Sequence, residues 1–427
     1  MKVRFHRYLL LLAGLVFLQS LVFAEEPIAT FDLEKAKQAA QISDPEAATR
    51  AYLDSVPEER RAKTKSYAHG NYVLDAVDFV FNSLVMIALL AFGVSARMRN
   101  FTQRITRRRP LQTALYWIQF TVLTGGVAFP LTLYQSYFRE KAYGLLTQAF
   151  GPWMIDQFKE LAISCILGSL FLMILYGVLR RAPRTWWIWG TAVSVAFVIF
   201  SIAIAPVFIQ PLFNKFTPIK DVELRENILT MARQSEIPAD EVYEMDASRR
   251  TDRISAYVNG MLGTMRIVMF DNTLRRCTRE EIQMIMGHEM AHYVLNHIWK
   301  FVGFFAVLIL LGFLFVRWSY AKVIAHRPNL AIEGISDVAG FPLLLLLLSA
   351  FLFVTGPITN TYSRTMEEQA DDFGLQASMQ PDAAATTFLK LGEYRDLEPH
   401  PVIEFLLYDH PSGRYRIRNA MLFKQSH

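Results

Sequence analysis

Long apolar runs recur along the chain, each bounded by charged or turn-forming positions. They lie at Val73–Ala96, Thr113–Leu133, Leu161–Leu179, Trp186–Ile209, Phe301–Trp318 and Val338–Gly356. Each approaches the ~20 residues an α-helix needs to cross a hydrocarbon core, so each predicts a membrane-spanning helix. A further run, Tyr8–Ala24, follows the basic start MKVRFHR. Val22 and Ala24 suit a cleavage site before Glu25, so residues 1–24 read either as a removable signal peptide or as a first transmembrane helix. The expected total is seven hydrophobic helices if the segment is kept and six if it is cleaved.

Three polar regions separate or follow these runs. Glu25 to Tyr72 is mixed-charge and helix-prone. Asn214 to Lys300 holds a helical pattern (ELRENILTMARQSEI) and a strand-like run, Arg266–Phe270, preceded by turn signals at Gly260 and Gly263. Thr278-Arg279-Glu280-Glu281 then forms a capping box. It opens a helix expected to run through EEIQMIMGHEMAHYVLNH and to end at His297, where a histidine suits the helix dipole. The third region, Asn360 to His427, begins with a helix reading SRTMEEQADDFGLQA. The pattern predicts a mainly α membrane protein with a small β-sheet.

Composition agrees. Hydrophobic residues make up 52% and charged residues 19% of 427, with a net charge of +5, against about a quarter charged in soluble domains. The basic residues cluster beside the apolar runs, with no aromatic-interleaved basic stripe, so nucleic acid is excluded as a partner and membrane lipid is expected. Cys165 and Cys277 sit in settings too different for a disulfide framework.

One motif carries chemistry. His288-Glu289-Met290-Ala291-His292 is HExxH on a helix, where positions i and i+4 share a face and both imidazoles can reach one ion. Glu289 can then take a proton from a water that zinc has acidified. Catalytic zinc usually has three protein ligands. In the later acidic helix Glu367 and Asp371 share a face, so one can bind metal while the other holds a ligating histidine; a solvated acidic face is the plain alternative. Met284, Met286 and Met290 read as core, and His400 as loop.

HEMAHYVLNH, then EEQAD, then YDHPSGRYR, together resemble the type I CAAX prenyl protease family, membrane zinc metallopeptidases of the gluzincin type. The resemblance extends to Pro211–Phe216, Ala256-Tyr257, Arg266–Val268 and, near the start, Arg50–Leu53 with Arg60–Lys63. It implies a gluzincin-like protease domain at 211–427 containing two further spans, a membrane domain at 25–210, and helices enclosing a chamber. It implies one zinc per chain, with Glu367 as third ligand, Asp371 as the carboxylate behind a ligating histidine, and His410 and Arg416 as groups that steady an oxyanion. Substrate would lie along Ser255, Ala256 and Tyr257, although the family often has Asn where this chain has Ser255.

The expected function is a membrane zinc metalloendopeptidase acting on peptide or protein substrates, membrane-associated or prenylated. A quality-control endopeptidase and a non-catalytic zinc-binding scaffold or transporter are the alternatives. An intramembrane-cleaving protease is disfavoured because TREEIQ, before HExxH, is too polar for a spanning helix. Family and charge disagree on sidedness. Arg97–Arg109, Arg180, Arg181, Arg184, Arg317, Lys322 and Arg327 fall in alternating loops, which the positive-inside rule makes cytoplasmic. The metal site is then expected on the exoplasmic side, whereas eukaryotic family members open to the cytosol.

Overall fold

The structure, a computed structural model, describes residues 30–260 and 265–427. The apolar run Tyr8–Ala24 lies outside them. Among the described residues six helices are long and apolar enough to cross a membrane.

Two short helices come first, α1 (Leu33–Ala39) and α2 (Pro45–Asp54), each started by an aspartate side chain that accepts from backbone N–H groups of the first turn. Their apolar faces, with Ala36, Ala48, Tyr52 and Leu53, pack against Met284, Phe388, Ile417 and Met421. The polar segment ahead of the first span is thus docked on the C-terminal part of the chain, held also by the Tyr52 hydroxyl donating to Asp382 at 2.8 Å.

The first spanning helix, α3 (Glu58–Ala91), is longer than its apolar run and stops earlier than expected. Gly93 takes the left-handed conformation at φ +64°, which a side chain would oppose, and the chain turns there. The basic cluster therefore begins on a separate helix, α4 (Val94–Ile105). The spans α5 (Arg109–Leu133), α6 (Phe150–Arg181) and α7 (Trp186–Ile204) follow. Phe341 stands edge-on to Tyr116, Trp117 and Phe120 with ring centroids 5.1–6.5 Å apart. Leu172, Tyr176, Phe313 and Val316 complete this core. Outside it Val80, Leu84, Ile166 and Val354 stay exposed, as apolar groups do when lipid is their solvent. Arg99 pairs with Asp337 at 2.5 Å, and the Ser95 hydroxyl donates to the Ala339 carbonyl at 2.7 Å. The connections that carry the basic clusters thereby meet at one end of the bundle.

The opposite end carries the sheet. Its order is β1 (Phe216–Pro218), β2 (Val242–Met245), β4 (Arg266–Phe270), β3 (Ala256–Asn259). β2 and β4 run parallel; β1 and β3 pair antiparallel with their neighbours. Ala256, Val258, Ile267 and Met269 face a core shared with α8 (Val222–Gln234) and with α9 (Arg279–Val294). α9 begins at the expected capping box: Thr278 N–H donates to Glu281 Oε2 at 2.8 Å, and Glu281 N–H donates to Thr278 Oγ1 at 3.3 Å.

Two boundaries differ from expectation. The HExxH helix ends at Val294, and His297 is the first residue of the next span, α10 (His297–His326). The cause is Asn296, which sits in the left-handed region at φ +56°. The last apolar run and the acidic helix are one element, α11 (Phe341–Ser378), 38 residues long. Pro357 lies within it without ending it, and the Thr361 hydroxyl donates to the Pro357 carbonyl at 2.8 Å. Three short helices close the chain: α12 (Pro381–Leu391), α13 (Pro401–Leu407) and α14 (Gly413–Ser426). Between α3, α6 and the sheet lies a cavity of ≈ 800 Å³, reached by Asp75, Asp78, Glu160 and Arg253.

Candidate metal centre

α9 and α11 touch at two glycines. A Cβ on Gly287 would lie 3.0 Å from Gly374 Cα, and one on Gly374 would lie 2.9 Å from the His288 backbone nitrogen. Only hydrogen at both positions permits this approach, and it brings HExxH onto the acidic helix.

The result is a convergence of three side chains. His288 Nε2 is 3.3 Å from Glu367 Oε2, His292 Nε2 is 3.7 Å from Glu367 Oε1, and the two Nε2 atoms are 3.4 Å apart. One atom from each residue falls within 4.8 Å of the others, a spacing that can hold a metal ion. Glu367 Oε2 is buried and makes no hydrogen bond, although ring nitrogens surround it. A buried carboxylate oxygen without a donor is costly, and a cation between these atoms would satisfy it. The donor set, two imidazoles and one carboxylate, suits zinc.

Behind the ligand atoms, His288 Nδ1–H donates to Asp371 Oδ1 at 2.8 Å. Asp371 is gripped in turn by Arg416, whose Nε and Nη2 donate at 2.7 and 2.6 Å. Arg416 also lies 4.1 Å over the Phe388 ring. Burial disfavours charge on His288, yet its hydrogen bond to Asp371 and the negative charges of Asp371 and Glu367 carry its pKa up to about 10. Burial and the charge of His288 push His292 down to about 4. Asp371 and Glu367, both beside His288, favour positive charge at this place.

Glu289 faces a cavity of ≈ 170 Å³ that also touches Ser255, Ala256, His410 and Arg416. Burial pushes its pKa up to about 7, near the operating value of a general base. His410 reaches the same place from the turn before α14. Its Nε2 is 3.2 Å from Glu367 Oε2, and its Nδ1–H donates to Asp409 at 2.9 Å.

β3 is an edge strand. Its first expected substrate position is already occupied: the Ser255 carbonyl accepts from Phe270 N–H at 3.0 Å, and Ser255 N–H donates to Thr273 at 2.9 Å. Backbone polar groups alternate along an antiparallel strand, so Ser255 and Tyr257 turn theirs toward β4. The outward groups belong to Ala256 and Val258. The Tyr257 hydroxyl donates to Gln210 at 3.2 Å.

The expected set thus splits. His288, His292, Glu289, Glu367, Asp371 and His410 come together, Arg416 joins them through Asp371, and the open strand edge begins at Ala256 rather than Ser255. His400 caps α13, accepting from Val402 N–H at 3.3 Å, and Met284, Met286 and Met290 are core. The sequence reading missed three features: Gly287, Gly374 and the contact of His292 Nδ1 with His297 Nδ1 at 3.0 Å. The glycine spacing against HExxH and EEQAD was visible, but its meaning needed the helix crossing.

A model of peptidase family M48 matches residues 218–421, and a model of the CAAX prenyl protease N-terminal region with five membrane helices matches 38–215. The uncharacterized metalloprotease YhfN of Bacillus subtilis is 32% identical over 362 residues, covering 84% of this chain and 85% of its own. CAAX prenyl protease 1 of Saccharomyces cerevisiae is 27% identical over 391 residues, covering 85% and 86%. Among solved structures, S. mikatae Ste24p superposes with a TM-score of 0.74 at 21% identity over 96% of this chain and 98% of that one.

Proposed function

The chain belongs to peptidase family M48 and is an integral, multi-pass membrane metallopeptidase; from that premise we propose that His288, His292 and Glu367 hold one zinc ion and that Glu289 is the general base for peptide hydrolysis. The observation that carries this reading is the convergence of the three ligand groups within 4.8 Å, beside Glu289 and an open strand edge.

Zinc held there supplies Lewis acidity, acidifying water and polarising a peptide carbonyl. The chain's own residues do the rest. An extended substrate adds to β3 through the outward backbone groups of Ala256 and Val258. Glu289 takes the proton of the attacking water and returns it to the leaving amine. His410, its Nδ1–H held by Asp409, donates from Nε2 to the developing oxyanion in the form that carries a proton on both ring nitrogens. Arg416 acts through Asp371, keeping that carboxylate turned to His288.

Only the carboxylate form of Glu289 accepts a proton, so kcat/KM falls as pH drops through its pKa. Burial raises that pKa to about 7, and a bound cation lowers it from there. The acid limb is therefore expected at or below about 7. Glu289→Gln should keep one zinc per chain by elemental analysis and lose cleavage by ~10²–10⁴-fold. A Glu289→Gln protein that still cleaves would reject the mechanism.

The positive-inside rule places the basic connections in the cytoplasm and the zinc site at the exoplasmic face. Substrates would then be membrane-associated polypeptides on that face, the role of a quality-control endopeptidase. Prenylated peptides are the second reading, favoured by the relatives named CAAX prenyl protease. A Gln425→Cys protein lacking Cys165 and Cys277, labelled in intact cells by an impermeant thiol reagent, separates the two. Labelling only after lysis would put the site in the cytosol and favour prenylated substrates.

A further inference from the structure

The two imidazoles of the metal centre are held in different ways. His288 leans on a carboxylate, whereas His292 leans on another histidine. His292 Nδ1 is 3.0 Å from His297 Nδ1, and His297 Nε2 is 3.3 Å from Gln369 Oε1. His297 is only 1% exposed, so water does not supply these contacts.

The backbone is arranged for this pairing. In an unbroken α-helix residues five apart point about 140° away from each other, and His297 would face away from His292. Asn296 interrupts the helix with a left-handed residue at φ +56°, a conformation that asparagine adopts more readily than most residues with a side chain. That single residue turns His297 back, and the two rings meet at 5.1 Å between centroids. Gln369 comes from α11, two positions beyond Glu367, so the helix that brings the carboxylate also brings the end of the chain of contacts.

We propose that His297 and Gln369 are positioning residues that fix the rotamer and tautomer of His292, so that its Nε2 lone pair faces the metal. The proton order follows from the ends. The Gln369 amide oxygen only accepts, so His297 carries its proton on Nε2 and presents a bare Nδ1. His292 must then carry its proton on Nδ1 and leave Nε2 free to ligate. The support is neutral throughout, unlike the carboxylate behind His288. It orients the ligand without adding a second negative charge to the centre, which leaves the metal more electron-poor than two carboxylate supports would.

This inference rests on the proposed metal site, and its test separates the two. Full-length protein in detergent is stripped of metal and titrated with zinc against a chromophoric chelator. His297→Phe keeps the ring volume but removes the acceptor. It should weaken zinc binding by ~10–100-fold, the usual effect of losing a group that orients a ligand, read well below a melting temperature that the unpartnered His292 and Gln369 are expected to lower. His297→Asn returns an acceptor close to the Nδ1 position and should recover most of the affinity. Gln369→Leu, at the far end, should weaken binding by about tenfold at most and shift the visible spectrum of the cobalt-loaded protein. Zinc affinity equal to the unmodified protein in both His297→Phe and Gln369→Leu would overturn the proposal and leave the metal site standing. Failure of the unmodified protein to take up zinc would overturn both.

Discussion

The spanning bundle and the metal-bearing half are held together by opposite means. In the bundle, cohesion comes from rings and aliphatic chains packed about Phe341, with few polar contacts such as Arg99–Asp337. In the metal-bearing half, the decisive contacts are a chain of charged and polar groups: Arg416 to Asp371 to His288, and Gln369 to His297 to His292. Apolar packing is non-directional and tolerates swaps of similar volume. A buried polar chain does not, because removing one member leaves its neighbour unsatisfied. The bundle therefore works as a frame that carries α11 across the membrane, and the chemistry depends on single atoms at the end of that helix.

The comparison can be broken most severely at Glu367. Glu367→Ala should abolish metal retention after dialysis and all peptidase activity, whereas Glu368→Ala, whose carboxylate meets the Tyr415 hydroxyl instead, should retain metal. Equal metal content in the two variants would refute the ligand assignment. Next in size is His410→Ala, expected to lower kcat by ~10²–10³-fold with metal content unchanged. Loss of metal there would make His410 a ligand instead.

Asp371→Ala tests the polar chain itself. It should weaken metal binding by ~10–100-fold and destabilise the fold by about 3–5 kcal/mol, because Arg416, 9% exposed, keeps a buried charge without its partner. Denaturant unfolding and chelator competition measure the two effects separately. The smallest expected effect belongs to the frame. A Cβ on Gly168 would meet Trp117 at 2.3 Å, so Gly168→Ala should destabilise by roughly 1–3 kcal/mol through overpacking. Its metal affinity should match the unmodified protein, and a clear loss would show that the frame and the site are not separable.

The metal motif was legible because helix periodicity is local: residues i and i+4 share a face in any helix, so HExxH already placed His288 and His292 together. The six described spans were legible for a similar reason, since apolar length against bilayer thickness needs no tertiary information. The capping box at Thr278 and the strand Arg266–Phe270 also appeared where the pattern put them. His297 was misread because the helix signal runs on through LNH; Asn296 is a residue that takes the left-handed conformation readily at a helix end, but a single asparagine inside a continuing helical pattern is too weak a signal to mark the break.

By itself, then, the sequence determined the spans, the strand Arg266–Phe270 and the pairing of His288 with His292, all set by short-range periodicity and residue type, while the parts of Glu367, Asp371, His410 and Arg416 came from a family resemblance. Only the tertiary structure decided how they meet. Gly287 against Gly374 sets the approach of α9 to α11, and Ser255 loses its place on the open edge to Thr273 and Phe270. The segment before α3 docks on the far half of the chain. Each depends on packing between residues distant in sequence, where shape and unsatisfied polar atoms, not local preference, select the partner.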